Sequence, residues 1–269
     1  MIRRTLNVIQ LATYSVDLPD PKRKGMPSPK GTGFFVSPDG WFVTAAHVIT
    51  ENGLSDGPVR TDLEQSWLMK EARPGEFTSG MCRAVKFEYI DPITDFALLK
   101  IDFATNANKD HLHGRTGFPY IEVSSRELEE GEPVYAFGYP LTESELILDT
   151  PEMAIGHAAH CPRVTSAIVA STMASTETIS TPEDVKVYVL DKALNYGNSG
   201  GPIIATETGK VHAFCSRFQP LYVPQHHLND QQGNFRRIMI PSLYGIVISL
   251  SNQRILGQLK LRSIPISDT

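Results

Sequence analysis

A serine stands between glycines at Asn195-Tyr196-Gly197-Asn198-Ser199-Gly200-Gly201-Pro202, just ahead of the apolar run Ile203-Ile204-Ala205. Glycines let a backbone take conformations that a side chain forbids. A turn built this way holds a hydroxyl out into a cleft and aims consecutive N–H groups at one point, where they bind an oxyanion as it forms. A hydroxyl alone is a poor nucleophile, so this chemistry also needs a base and a group to orient it. An imidazole is available in Thr44-Ala45-Ala46-His47 and a carboxylate in Thr94-Asp95. Taken singly, each has an ordinary explanation: a structural turn, a core or surface histidine, a turn-forming aspartate.

Short strands must position these groups. Phe34–Val36 and Trp41–Thr44 flank Ser37-Pro38-Asp39-Gly40, the chemistry of a hairpin turn, and His47 follows directly. Asp91-Pro92-Ile93-Thr94-Asp95 turns ahead of the buried strand Phe96–Ile101. Further strands are expected at Thr5–Tyr14, Ser66–Lys70, Met81–Ile90, Tyr120–Val123, Pro133–Gly138, Arg163–Ser171, Val185–Leu190, Pro202–Ala205, Val211–Ser216 and Ile238–Ile240. Loops are expected over 17–31, 50–65, 172–184 and 219–234, a polar linker over 102–118, and a short helix at Ser251–Leu261. Many short strands between Gly and Pro turns indicate an all-β sandwich or barrel.

The chain has 269 residues, 41% hydrophobic and 20% charged, enough to bury a core unaided. Its net charge of -5 supplies no basic field for nucleic acid. The basic runs Lys22-Arg23-Lys24 and Arg236-Arg237 are short and read as solvated surface. No run is apolar enough to span a bilayer, and the N-terminus is too polar for a signal peptide. Cys82, Cys161 and Cys215 are far apart and odd in number, which favours a reducing compartment and a cytoplasmic protein. His157, His160, His226 and His227 lack a strong zinc spacing and read as exposed loop histidines, so neither metal nor cofactor is expected.

Thr44–His47, Thr94–Leu99 and Gly197–Pro202, in that order, together resemble the trypsin/chymotrypsin-fold serine peptidases, most closely the Deg/HtrA-like branch. Gly31-Thr32-Gly33-Phe34, Gly131–Val134 with Gly138-Tyr139-Pro140, Val164–Val169 and Met239-Ile240-Pro241 extend the resemblance over about residues 31–245. Lys192 and Tyr196 depart from the branch's pattern, in which a small residue and a proline stand there. Residues 141–162 and 218–235 read as insertions, and no PDZ module is expected within the chain.

The resemblance implies two six-stranded antiparallel β-barrels with the active site between them. Residues 1–110 would carry His47 and Asp95, and residues 111–269 the nucleophile Ser199. Asp91 is the rival acid, but the apolar strand begins immediately after Asp95, as in the family. Gly197, Asn198 and Ser199 would form the oxyanion hole, and Ala193, Leu194, Ala213, Phe214 and Cys215 the substrate pocket. Ala193 falls where trypsin-like enzymes place an acid, so a small or medium apolar residue is expected at the cleavage position. The implied activity is serine endopeptidase on protein or peptide substrates, through an acyl-enzyme. The alternatives are an esterase using the same triad, and a latent or regulatory peptidase-fold binding module activated by a protein partner.

Overall fold

Leu6, Ile9 and Ala12 recur at the spacing of one helix face. The computed structural model describes residues 2–20, 22, 26–70, 81–82, 85–103, 114–140, 143–149, 154–172, 185–192, 194–223 and 238–268. In it, α1 spans Ile2–Ala12, with Ile9 and Ala12 buried and Leu6 packed on the core. The strand expected over residues 5–14 is therefore a helix as far as Ala12. Its β-branched residues suggested a strand, but the three-residue apolar spacing prevails because it meets the core.

The first half of the chain forms β1 (Thr13–Asp20), β2 (Met26–Phe35), β3 (Trp41–Ala45), β4 (Trp67–Met69), β5 (Met81–Cys82), β6 (Val85–Asp91) and β7 (Phe96–Ile101). They make one seven-stranded antiparallel sheet in the order β5-β4-β1-β2-β3-β7-β6. Much of the loop expected over 17–31 is strand: Asp17 pairs with Pro29 and Pro19 with Pro27. The prolines are tolerated because β3 pairs with β2 only from Gly33 to Phe35, so Pro27 and Pro29 need donate no ladder bond there. The β2–β3 hairpin forms as its turn chemistry predicts. Val36 N–H donates to Trp41 O at 2.9 Å, and Gly40 takes φ +100° where a Cβ would lie 1.8 Å from Ile101 O.

The second half forms β8 (Val123–Ser124), β9 (Pro133–Gly138), β10 (Glu143–Asp149), β11 (Ala154–Ala159), β12 (Arg163–Ser171), β13 (Val187–Leu190), β14 (Pro202–Ala205), β15 (Val211–Val223), β16 (Ile238–Ser249), α2 (Gln253–Leu261) and β17 (Ile266–Ser267). The strands β14-β9-β12-β13-β16-β15 close on themselves through β14–β15, giving a six-stranded barrel. β8 and β17 add to it in parallel, beyond the six antiparallel strands. Within the 141–162 segment, β10 and β11 pair as a hairpin. Part of the expected 219–234 loop is strand, since β15 and β16 stay paired out to Val223 and Ile238. The linker residues 104–113, the loop residues 173–184 and the histidines at 226 and 227 lie outside the described residues.

One buried cluster crosses both halves: Phe35 stacks on Phe118 at 4.1 Å, and Phe96 of β7 meets Phe214 of β15 at 6.0 Å. A polar contact joins the halves as well. His160, expected as an exposed loop histidine, is 5% exposed, and its Nε2 lies 2.8 Å from Asp17 Oδ2 on β1. Ser15 Oγ donates to the other oxygen of Asp17 at 2.6 Å. Asp17 stands 143 positions earlier, so nothing local in the sequence marks the pair. His160→Ala would leave Asp17 buried with Ser15 alone, and stability should fall by about 3 kcal/mol, read from the urea midpoint at unchanged slope.

Candidate active site

The β3–β7 ladder places the base beside the acid. Ala45 pairs with Phe96, so the residues just past β3 and just before β7 are neighbours, and Ala46 N–H donates to Asp95 O at 2.7 Å. His47 follows in a single 3-10 turn, Ala46–Val48. Asp95 sits at φ +51°, a left-handed conformation that aspartate accepts better than most residues. The turn delivering it is made by Asp91, whose carboxylate accepts from Ile93 N–H at 3.1 Å and from Thr94 Oγ1 at 3.0 Å. The rival acid is thus a turn-forming group.

Asp95 is 1% exposed and accepts from four donors. His47 Nδ1 lies 2.8 Å from Oδ2 and 3.1 Å from Oδ1, His47 N–H donates to Oδ1 at 3.0 Å, Ser55 Oγ to Oδ1 at 2.8 Å and Ser216 Oγ to Oδ2 at 2.6 Å. Burial is the largest influence on this carboxyl and pushes its pKa up. The hydrogen bonds and charge of His47, with the Ser216 bond, outweigh it and hold the pKa below the ordinary aspartate value. An ionised carboxylate only accepts, so the proton in this contact rides on His47 Nδ1 and leaves Nε2 with a lone pair.

The serine turn is pinned by both halves. Thr32 of β2 donates N–H to Ser199 O at 2.7 Å and Oγ1 to Gly197 O at 2.6 Å, and accepts Tyr139 N–H at 3.0 Å. Thr44 Oγ1 in turn donates to Thr32 O at 2.7 Å. Gly200 takes φ +83° against Thr32, and its N–H reaches Cys215 O at 2.6 Å. Asn198 N–H turns inward onto Asn195 O at 3.1 Å. Among the described residues, the N–H groups of Gly197 and Ser199, on either side of it, have no hydrogen-bond partner. Both residues line the cleft, with Gly197 at φ +94°. Asn198, expected in the oxyanion hole, has its own N–H engaged within the turn and does not line the cleft.

A cleft of about 510 Å³ brings His47, Asp95, Gly197 and Ser199 together. Ser199 Oγ donates to Ser216 O at 3.3 Å, and no hydrogen bond joins it to His47. Of the expected pocket residues, Leu194 and Cys215 line the cleft. Ala213 and Phe214 do not: both are fully buried, and Phe214 faces away from Cys215, by strand alternation, onto Phe96. Ala193 lies outside the described residues. Tyr139, Leu54, Tyr196, Pro29 and Lys30, absent from the sequence-level pocket, complete much of the wall. Asp95, already engaged by His47, is the only acid among the described lining residues. Burial, with the Asp95 charge, pushes the Cys215 thiol pKa up, so it stays protonated and acts as a small apolar surface.

The model for the trypsin-like peptidase domain matches residues 31–213. Among curated proteins, the chain is 27% identical over 207 residues to the uncharacterized protein y4bJ of Sinorhizobium fredii, covering 77% of this chain and 25% of that protein. It is 28% identical over 183 residues to serine protease HTRA1A of Danio rerio, covering 68% of this chain and 29% of the relative. The chain thus spans between a quarter and a third of the length of these relatives. Among solved structures, the HtrA-type protease AlgW with decapeptide superposes with a TM-score of 0.58 at 17% identity, over 98% of this chain and 67% of that one.

Proposed function

The chain belongs to the trypsin-like peptidase domain family, and from that membership we propose that it is an HtrA-like serine endopeptidase acting on protein or peptide substrates through a His47–Asp95–Ser199 triad. The observation that carries this reading is that Gly197 and Ser199, whose N–H groups have no hydrogen-bond partner among the described residues, line one cleft with an imidazole held by a buried carboxylate.

In the reaction, Ser199 Oγ leaves its bond to Ser216 O and donates to His47 Nε2. A looser contact in the unliganded state is common in such sites. His47 takes the proton as Oγ attacks the scissile carbonyl, and Asp95 keeps the tautomer and stabilises the imidazolium. The carbonyl oxygen becomes an oxyanion between the Gly197 and Ser199 N–H groups. His47 then protonates the leaving amine, which departs and leaves an acyl group on Ser199. Water, deprotonated by His47, releases the acyl group through the same steps. Leu194 and Cys215, with no unengaged acid among the described lining residues, favour a small or medium apolar residue on the acyl side of the cut. Cys161 and Cys215 are free thiols, which supports a reducing compartment as the working site.

The test is covalent capture. A fluorophosphonate should add once, to Ser199, in the folded protein, as read by intact mass and peptide mapping, and Ser199→Ala should carry no adduct. Folded wild-type protein that stays unlabelled while hydrolysing no peptide would refute the assignment.

A further inference from the structure

Asp95 accepts a hydrogen bond from a residue on the wall of the substrate cleft. Ser55 Oγ donates to Asp95 Oδ1 at 2.8 Å, the shortest of the three contacts to that oxygen. Ser55 stands in an arch, residues 51–58, that rises directly after His47 and is closed by the Thr50–Val59 bridge. The arch holds itself without Ser55. Glu51 N–H donates to Pro58 O at 3.0 Å, Gly57 N–H to Leu54 O at 3.0 Å, Leu54 N–H to Asn52 Oδ1 at 3.0 Å, and Thr50 Oγ1 to Leu54 O at 2.8 Å. The Ser55 hydroxyl therefore serves no closure of its own loop and goes to a carboxylate 40 positions away. Its neighbour Leu54, 57% exposed, projects on the cleft side of the same arch.

We propose that Ser55 is a positioning residue that, together with Ser216, fixes the Asp95 carboxylate in the plane His47 needs, so that the arch lining the cleft also sets the triad. This rests on the peptidase reading of the site. The carboxylate has two oxygens to orient. Ser216 holds Oδ2, while Oδ1 is shared between His47 N–H and Ser55. Without Ser55, Oδ1 keeps only contacts from His47 itself, and the carboxylate gains freedom to rotate with the ring it should be steadying. Loss of a donor also makes a carboxylate a stronger proton acceptor, which favours the imidazolium opposite it. The ionisable groups facing Asp95 are His47 and the protonated Cys215 thiol, with Lys30 on the same cleft.

The experiment compares wild type, Ser55→Ala and Ser55→Thr on one peptide substrate across pH, alongside low-field proton NMR of the His47 Nδ1–H. Ser55→Ala should lower kcat about tenfold with KM within about twofold, as for loss of one hydrogen bond to a charged group. The acid limb of its kcat/KM profile should move to higher pH, and its Nδ1–H resonance should exchange with water faster. Ser55→Thr, which keeps the hydroxyl, should restore all three. A Ser55→Ala enzyme with wild-type kcat, or one slowed without movement of the acid limb or of the resonance, would overturn the proposal. If wild type neither cleaves nor labels while the resonance still responds to Ser55→Ala, the peptidase reading fails and the positioning contact stands.

Discussion

Asp95→Asn should lower kcat about 10⁴-fold and leave the fold in place. The hydrogen bonds at this residue dictate why. His47 N–H is fixed by the backbone and needs an acceptor, and it lies 3.0 Å from Oδ1. An asparagine at 95 therefore keeps its oxygen on that side and turns its amide toward His47 Nδ1. The amide then donates to Nδ1, and the imidazole carries its proton on Nε2, where it can no longer accept one from Ser199. The Ser216 hydroxyl, which donates to Oδ2 in the native site, can rotate to accept instead. Single-turnover acylation with a chromogenic ester should show the loss, while circular dichroism and KM stay close to wild type. The folded-state pKa of Asp95 is lowered, so the stability it contributes is present above the ordinary aspartate range and is lost as pH falls through the folded value. The asparagine variant should lack that part of the acid sensitivity.

Gly200→Ala should be severely damaging although it removes no reacting group. At φ +83°, a Cβ would lie 2.2 Å from Thr32 O, 2.4 Å from Thr44 Oγ1 and 2.7 Å from Ala45 N. Two of these are backbone atoms in the β2–β3 hairpin, which cannot yield without moving His47. Left-handed strain and overpacking together should cost about 4 kcal/mol. The fraction that still folds should lose a further 10²–10³ in kcat, because the turn that aims the Gly197 and Ser199 N–H groups is displaced. Gly257→Ala is the control. Nothing lies within 4 Å of its added methyl in α2, so it should stabilise the protein by about 0.5–1 kcal/mol through helix propensity. Thermal melts and active-site titration of the two variants would separate these effects.

The three residues of the proposed triad are legible because each sits at the end of a short, strongly marked segment. Gly200 and Gly201 announce a tight turn, Phe96–Ile101 announces the strand after Asp95, and the Ser-Pro-Asp-Gly hairpin announces the approach to His47. What stayed hidden depends on distant partners. Ser55 reads as one more polar loop residue until the fold lays its arch over Asp95. His160 reads as a loop histidine until Asp17 arrives from the other half of the chain. Phe214 falls in the run that the family resemblance places along the pocket wall, and strand alternation turns it onto Phe96 instead. The helix at Ile2–Ala12 was marked by its apolar spacing, and its β-branched content disguised it.

Thr32 has a consequence beyond bonding. It is a residue of the first sheet, yet it grips the carbonyls of Gly197 and Ser199 and the amide of Tyr139, all in the second half. The Ser199 turn is thus carried like a latch bolt across a door and its frame. Sliding one half against the other would pull on the Gly197 and Ser199 carbonyls through Thr32. On the peptidase reading, catalytic readiness in this molecule becomes a gauge of alignment: the rate would register how squarely the two halves are seated.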